Sequence, residues 1–243
     1  MDVDARFRDA IQHFWTARAN QRAKQIEGGK IDAGTRGAVT GGTQMGALEV
    51  LVSDILREAG LDRLQIKTRA ALETRTGLGL PGYYRPEKQW DLIVISEGQL
   101  VCVIEFKSQV GPSFGNNANN RAEEAIGSAT DFWRAYREGR FGSLTEPLLG
   151  YFFLLEDCPK SNKPVRSSEP YFKVDPEFAG ASYGKRYELL CRRLVLDRLY
   201  RAACLTLAID EPESRITEPA EDLSFRRFAA ALRGHAVAFL GGR

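Results

Sequence analysis

Residues 88–107 read KQWDLIVISEGQLVCVIEFK. Two apolar runs, 92–95 and 100–104, flank Ser96-Glu97-Gly98-Gln99, and charges stand at their outer ends: Asp91 before the first, Glu105 and Lys107 after the second. Short runs rich in Val and Ile, joined by a glycine-bearing turn, predict a β-hairpin. Both of its faces are apolar, which predicts a central sheet position covered by helices on each side. Gly98 can supply a left-handed conformation at the end of a three-residue turn, so Ser96-Glu97-Gly98 is the expected turn, pairing Ile95 with Gln99 and Asp91 with Val103. Side chains alternate with a period of two, so this register puts Asp91, Glu105 and Lys107 on one face. A two-residue turn would put Asp91 on the wrong face for Glu105.

Upstream, apolar positions at Phe7, Ile11, Phe14 and Trp15 predict an amphipathic helix over 4–27, stopped by Gly28-Gly29. The glycine-rich stretch 28–46 lacks the spacing of a phosphate loop and reads as a mobile loop. A second helix is expected over 45–59, a strand over 64–69 and a long connection over 70–90. Downstream, 108–120 reads as a polar loop and 121–138 as a helix, with Asn120 as N-cap and Glu123 completing a capping box. Residues 148–155 (LLGYFFLL) predict a buried strand, 156–182 are irregular, and helices are expected over 183–207 and 222–240. The order indicates an α/β fold, a small mixed central sheet flanked by helices, in one domain over 1–243. Its catalytic core is expected over roughly 45–160 and a helical C-terminal part over roughly 183–240.

Composition is that of an ordinary globular protein, 43% hydrophobic and 27% charged. No apolar run approaches the ~20 residues needed to cross a bilayer, and the charged N-terminus lacks the apolar core of a secretory signal, so a cytoplasmic protein with no membrane partner is expected. Four dispersed cysteines, with no C-x-x-C pair, read as reduced thiols. Two histidines, His13 and His235, sit on terminal amphipathic stretches, which argues against a histidine base. The net charge of +2 is not the strong basic bias of a protein that coats nucleic acid, and basic clusters at 18–30, 63–75, 134–140 and 185–201 could line a groove or be solvated helix faces.

The chemistry that wants Asp91, Glu105 and Lys107 together is metal-assisted hydrolysis of a phosphodiester. Two carboxylates on adjoining strands offer hard oxygen ligands to Mg²⁺, which activates a water near neutral pH. A lysine two residues beyond the second carboxylate can orient that water or stabilise developing charge. Gln109 shares the face and could position water. Glu49, on the preceding helix, is a possible further ligand or a solvated glutamate. Asn116, Asn117, Asn119, Asn120 and Arg121 crowd a helix start, where they could read bases in the major groove or simply build a turn. Arg85 and Lys88 form a second candidate DNA-reading group.

The segments LPGYYRPEKQWDLIVI (80–95), IEFKSQVGPSFGNNANNRAEEAIGSATDFW (104–133) and LGYFFLLEDCPKS (149–161) resemble the XhoI-type type II restriction endonucleases of the PD-(D/E)XK nuclease superfamily, over roughly residues 28–200. The resemblance implies a Mg²⁺-dependent homodimer that cuts double-stranded DNA at CTCGAG leaving 5′ overhangs, paired with a cognate methyltransferase. It places Asp91 as the first acid, Glu105 as the second and Lys107 as the lysine, with Trp90 standing where the superfamily usually has a proline. The terminal helices, outside the expected core, are candidate dimer surfaces. Two other readings share parts of this pattern: a structure-specific repair or recombination nuclease of the same superfamily, and a catalytically inactive DNA-binding module.

Overall fold

The computed structural model of the protein describes residues 2–27, 43–62, 65–69, 75–142, 145–169, 171–211 and 215–242. Helix α1 (Val3–Glu27) buries Phe7, Ile11, Phe14 and Trp15. The glycine-rich stretch lies outside the described residues up to its end, where a 3₁₀ turn, Thr43–Met45, leads into α2 (Gly46–Glu58). Then come β1 (Ile66–Thr68), the small hairpin β2 (Gly79–Pro81) and β3 (Glu87–Gln89), and the main hairpin β4 (Leu92–Ser96) and β5 (Gln99–Gln109). They are followed by α3 (Gly115–Arg137), β6 (Leu148–Glu156), the short α4 (Pro159–Asn162), α5 (Tyr183–Leu196), β7 (Ala202–Ala208), β8 (Ile216–Thr217) and α6 (Phe225–Gly241).

Six strands form one mixed sheet in the order β1-β4-β5-β6-β7-β8. The central pairs β5–β6 and β6–β7 are parallel, and the flanking pairs are antiparallel. Parallel strands need a crossover, and α3 and α5 supply the two required. Alternate strand residues then enter two separate cores. Leu92, Val94, Ile104 and Phe152 pack with α1, α2 and α6, whereas Ile93, Val103, Tyr151 and Phe153 pack with α3 and α5. The α/β expectation with helices on both sheet faces is met.

The hairpin reaches its register by a different route from the one expected. The turn has two residues, Glu97 (φ 51°) and Gly98 (φ 77°), both left-handed, with Ser96 paired to Gln99. Two left-handed central residues define a type I′ turn, whose twist suits the strands better than a longer loop. Beyond Ile95↔Leu100 the pairing resumes at Val94↔Cys102, leaving Val101 as one extra residue in β5. Val101 and its neighbour Cys102 both belong to the α1/α2/α6 core, as a bulge requires. The bulge undoes the phase change of the shorter turn. Leu92 pairs with Ile104, so the next step outward sets Asp91 opposite Glu105, not Val103.

Three element boundaries also differ. Helix α3 begins at Gly115, so Asn116–Asn120 lie inside its first turns and Asn120 is no cap; the N-cap residue is Phe114, without a side-chain cap bond. The helix expected over 183–207 ends at Leu196, and Ala202–Ala208 form a fully buried strand. A continuous apolar run fits a buried helix or a buried strand equally well, and only a sheet partner decides. The expected helical C-terminal part therefore contributes two strands to the central sheet. The terminal helices α1 and α6 are core layers: Phe7 stacks on Phe225 at 4.1 Å between ring centroids.

Candidate active site

Asp91 immediately precedes β4. The Phe106 backbone N–H donates to its Oδ2 (2.8 Å), and the Arg69 guanidinium pairs with its Oδ1. The Arg69 backbone N–H also donates to the Asp91 carbonyl (3.3 Å), fixing the end of β1 beside the acid. Glu105 is buried. Its Oε1 meets Lys107 Nζ at 2.8 Å and Lys88 Nζ at 2.9 Å, and its Oε2 accepts from the Tyr200 hydroxyl at 3.1 Å. Burial by itself would raise the Glu105 pKa, but the two ammoniums outweigh it and hold the carboxyl at about 2. The acid is thus ionised at any working pH. The same burial and the neighbouring Glu105 charge push the Tyr200 phenol well above its ordinary value, keeping it a donor.

Asp91, Arg69, Lys107 and Arg121 share a cavity of about 170 Å³ with Gln44, Met45 and Ser108. Its lining has three cationic side chains and one carboxylate; Arg69 pairs with that carboxylate, Lys107 with Glu105 and Arg121 with Glu124. The carboxylates Asp91 and Glu105 supply hard oxygen donors of the kind Mg²⁺ takes. Among the described residues no three His, Cys, Asp or Glu side chains gather as a metal cluster; of the two acids, Asp91 lines the cavity and Glu105 is buried beside it in β5, held by Lys107.

The other expected site residues have varied fates. Gln109 is buried, with Nε2 donating to the Ser113 carbonyl (2.8 Å) and Oε1 accepting from the Tyr187 hydroxyl. Its amide therefore secures the β5–α3 connection. Glu49 is buried on the inner face of α2 and is not a solvated glutamate. Lys88, expected in a DNA-reading group, turns inward to Glu105, its Nζ 4.1 Å above the centre of the Trp90 ring. Arg85 binds Asp131 Oδ2 (2.8 Å) on α3; the Tyr83 and Tyr84 N–H groups donate to Asp131 Oδ1. Asn117 donates to the Ser113 carbonyl (2.7 Å), Asn119 and Asn120 are exposed, and Arg121 pairs with Glu124 (2.6 Å). The Asn116 side chain lies outside the described ones. His235 binds the backbone carbonyl of Val101.

Arg69, Tyr200 and Asp131 are missing from the set expected on sequence. Arg69 closes a strand expected over 64–69 with nothing to mark it as special. Tyr200 was hidden inside a supposed helix, and only β7 brings it to Glu105.

An acid pair with a lysine, presented by adjoining strands of a mixed sheet, is the kind of site used by metal-dependent nucleases. Residues 24–218 match the family described as restriction endonuclease XhoI, and the chain belongs to that family of type II restriction enzymes, site-specific DNA endonucleases. It is 46% identical over 211 residues to the type II restriction enzyme BstVI of Geobacillus stearothermophilus, covering 84% of this chain and 92% of that one. It is 44% identical to the type II restriction enzyme XhoI of Xanthomonas vasicola (80% and 76% covered) and 48% identical to AbrI of Azospirillum brasilense (71% and 75%). No solved structure matches the chain.

Proposed function

We propose that this chain is a Mg²⁺-dependent type II restriction endonuclease of the PD-(D/E)XK kind. Acting as a homodimer, it cuts both strands of double-stranded DNA at CTCGAG and leaves 5′ overhangs. The observation that carries the reading is the pairing of Leu92 with Ile104, which Asp91 precedes and Glu105 follows by one residue, with Lys107 Nζ 2.8 Å from Glu105. Asp91 and Glu105 would hold the metal ion, which when bound supplies Lewis acidity and a water of lowered pKa. Glu105 is ionised without metal, so protons do not compete for it near neutral pH. Tyr200 and Lys88 fix the direction of its two oxygens. The Lys107 ammonium is placed to stabilise charge developing on the phosphate. A twofold dimer suits a palindrome, because each copy then meets one strand. The chain is read as one domain over 1–243, working in the cytoplasm beside a methyltransferase that protects host DNA. Asn119, Asn120 and Arg121 remain the DNA-reading candidates with accessible or cavity-lining side chains.

Incubation with plasmid, with and without Mg²⁺, followed by sequencing of the ends, tests this. Discrete fragments ending at CTCGAG only with Mg²⁺ are expected. Cutting that follows DNA structure instead would favour a repair nuclease, and binding without cutting would favour an inactive module.

A further inference from the structure

We propose that Arg69 has two stations: counter-ion of Asp91 in the metal-free protein, and ligand of a DNA phosphate once Asp91 takes a cation. This rests on the reading of Asp91 as a metal ligand given above.

Both oxygens of Asp91 are in use, Oδ2 by the Phe106 N–H and Oδ1 by the Arg69 guanidinium. A hard cation approaching Oδ1 competes there with the Arg69 guanidinium, which repels it. Arg69 therefore has to leave for the carboxylate to ligate fully. Its backbone stays anchored by the N–H bond to the Asp91 carbonyl, so only the side chain moves and it remains in the cavity.

An acceptor is wanted there. Arg69 Nε is buried and has no hydrogen-bond partner, and Arg121 Nε across the cavity is in the same condition. Buried N–H groups are nearly always paired, so two orphaned Nε–H donors on arginines that line one cavity need an explanation. Lys107 adds a third positive group, and the Asp91 negative charge would be taken up by the cation. The ligand that fits is a phosphate oxygen pair, which a guanidinium fork binds in bidentate fashion. Metal and DNA then favour one another, because each removes an obstacle to the other.

Titration calorimetry of the DNA-free protein with Mg²⁺ tests the first station. Arg69→Gln is expected to bind Mg²⁺ several-fold more tightly than wild type, whereas a merely structural arginine would weaken it or leave it unchanged, and that result overturns the proposal. Arg69→Lys keeps the charge and is expected to stay near the wild-type affinity, which guards against misreading a folding defect. Salt-dependent binding to a CTCGAG duplex tests the second station. In Ca²⁺, Arg69→Gln is expected to lower the slope of log K against log salt by about 0.9, equivalent to one phosphate, with no change in EDTA. An unchanged slope in Ca²⁺ overturns it. Asp91→Asn distinguishes failure of the metal site from failure of the two-station role. Mg²⁺ binding indifferent to Asp91 would sink both together. Binding that needs Asp91 but ignores Arg69 would sink the two-station role alone.

Discussion

The Nε2 of His235, on the last helix, lies 2.8 Å from the carbonyl oxygen of Val101, the residue that β5 carries in excess of its partner strand. A bulge leaves ladder groups without their usual strand partners. Here a side chain from the far end of the chain satisfies one, holding in place the extra residue that sets Asp91 opposite Glu105.

Replacing His235 by Phe should cost about 1–2 kcal/mol by orphaning that carbonyl, read as a lower urea midpoint with an unchanged slope. Burial pushes the His235 pKa below 6.5, with the bond to Val101 pulling the other way. The folded state thus favours neutral imidazole. Its contribution is full above about pH 6.5 and is lost as the pH falls through the folded value. The stability difference between wild type and His235→Phe should shrink over that range; a difference flat from pH 8 to 5 would refute the role.

Removing one of the two ammoniums on Glu105 should move its titration. Wild-type Glu105 sits at about 2 against an ordinary 4.5, so its contribution is present above 4.5 and is lost as the pH falls towards 2. Lys88→Met should raise the folded value and flatten the stability curve in that window. Carboxyl chemical shifts followed by NMR would read the change directly.

Glu105→Gln and Asp91→Asn should each slow cleavage at least about a thousandfold, equivalent to about 4 kcal/mol of barrier, while specific binding in Ca²⁺ persists. Glu105→Ala should in addition lose about 2–3 kcal/mol of stability, because Lys88 and Lys107 are left facing each other without a counter-charge. Cleavage at the wild-type rate by either conservative variant would remove these acids from the mechanism.

Asp131 is buried and holds the 83–85 turn through three donors. Asp131→Ala should destabilise by about 2–3 kcal/mol, and Arg85→Ala by less. If Arg85 serves only this turn, its loss should weaken CTCGAG and random duplexes equally in gel-shift titrations. A selective loss on CTCGAG would give it a reading role.

Asn119→Ala and Asn120→Ala are expected to lower the ratio of specific to random binding, by about 1–3 kcal/mol for each bidentate hydrogen-bond pair to a base that the truncation removes. Equal weakening on both duplexes would show these exposed residues to be outside base reading.

The acids and the lysine were legible because strand alternation is local, and a run such as LIVI next to LVCVI has few ways to fold. The register was right in consequence and wrong in detail. A tight turn and a bulge, each shifting the phase by one, cancelled, and no local rule marks Val101 as the extra residue. Gln109 looked available because only its face could be read, not the Tyr187 and Ser113 partners brought in by tertiary packing. Lys88 is the same case reversed: a lysine beside an aromatic in a polar segment reads as surface, and the fold turns it onto Glu105. β7 was missed because Ala202–Ala208 carries no periodicity to separate strand from helix, and Tyr200 was missed with it.

The bond from Tyr200 to Glu105 spans 95 residues of chain. During synthesis the hairpin with Asp91, Glu105 and Lys107 leaves the ribosome first, its second acid lacking the phenol that orients Oε2. The carboxylate gains its full set of donors only after β6, α5 and the segment leading into β7 have been made. Any fragment that stops before residue 200 therefore carries both acids without the phenol that donates to Glu105 Oε2.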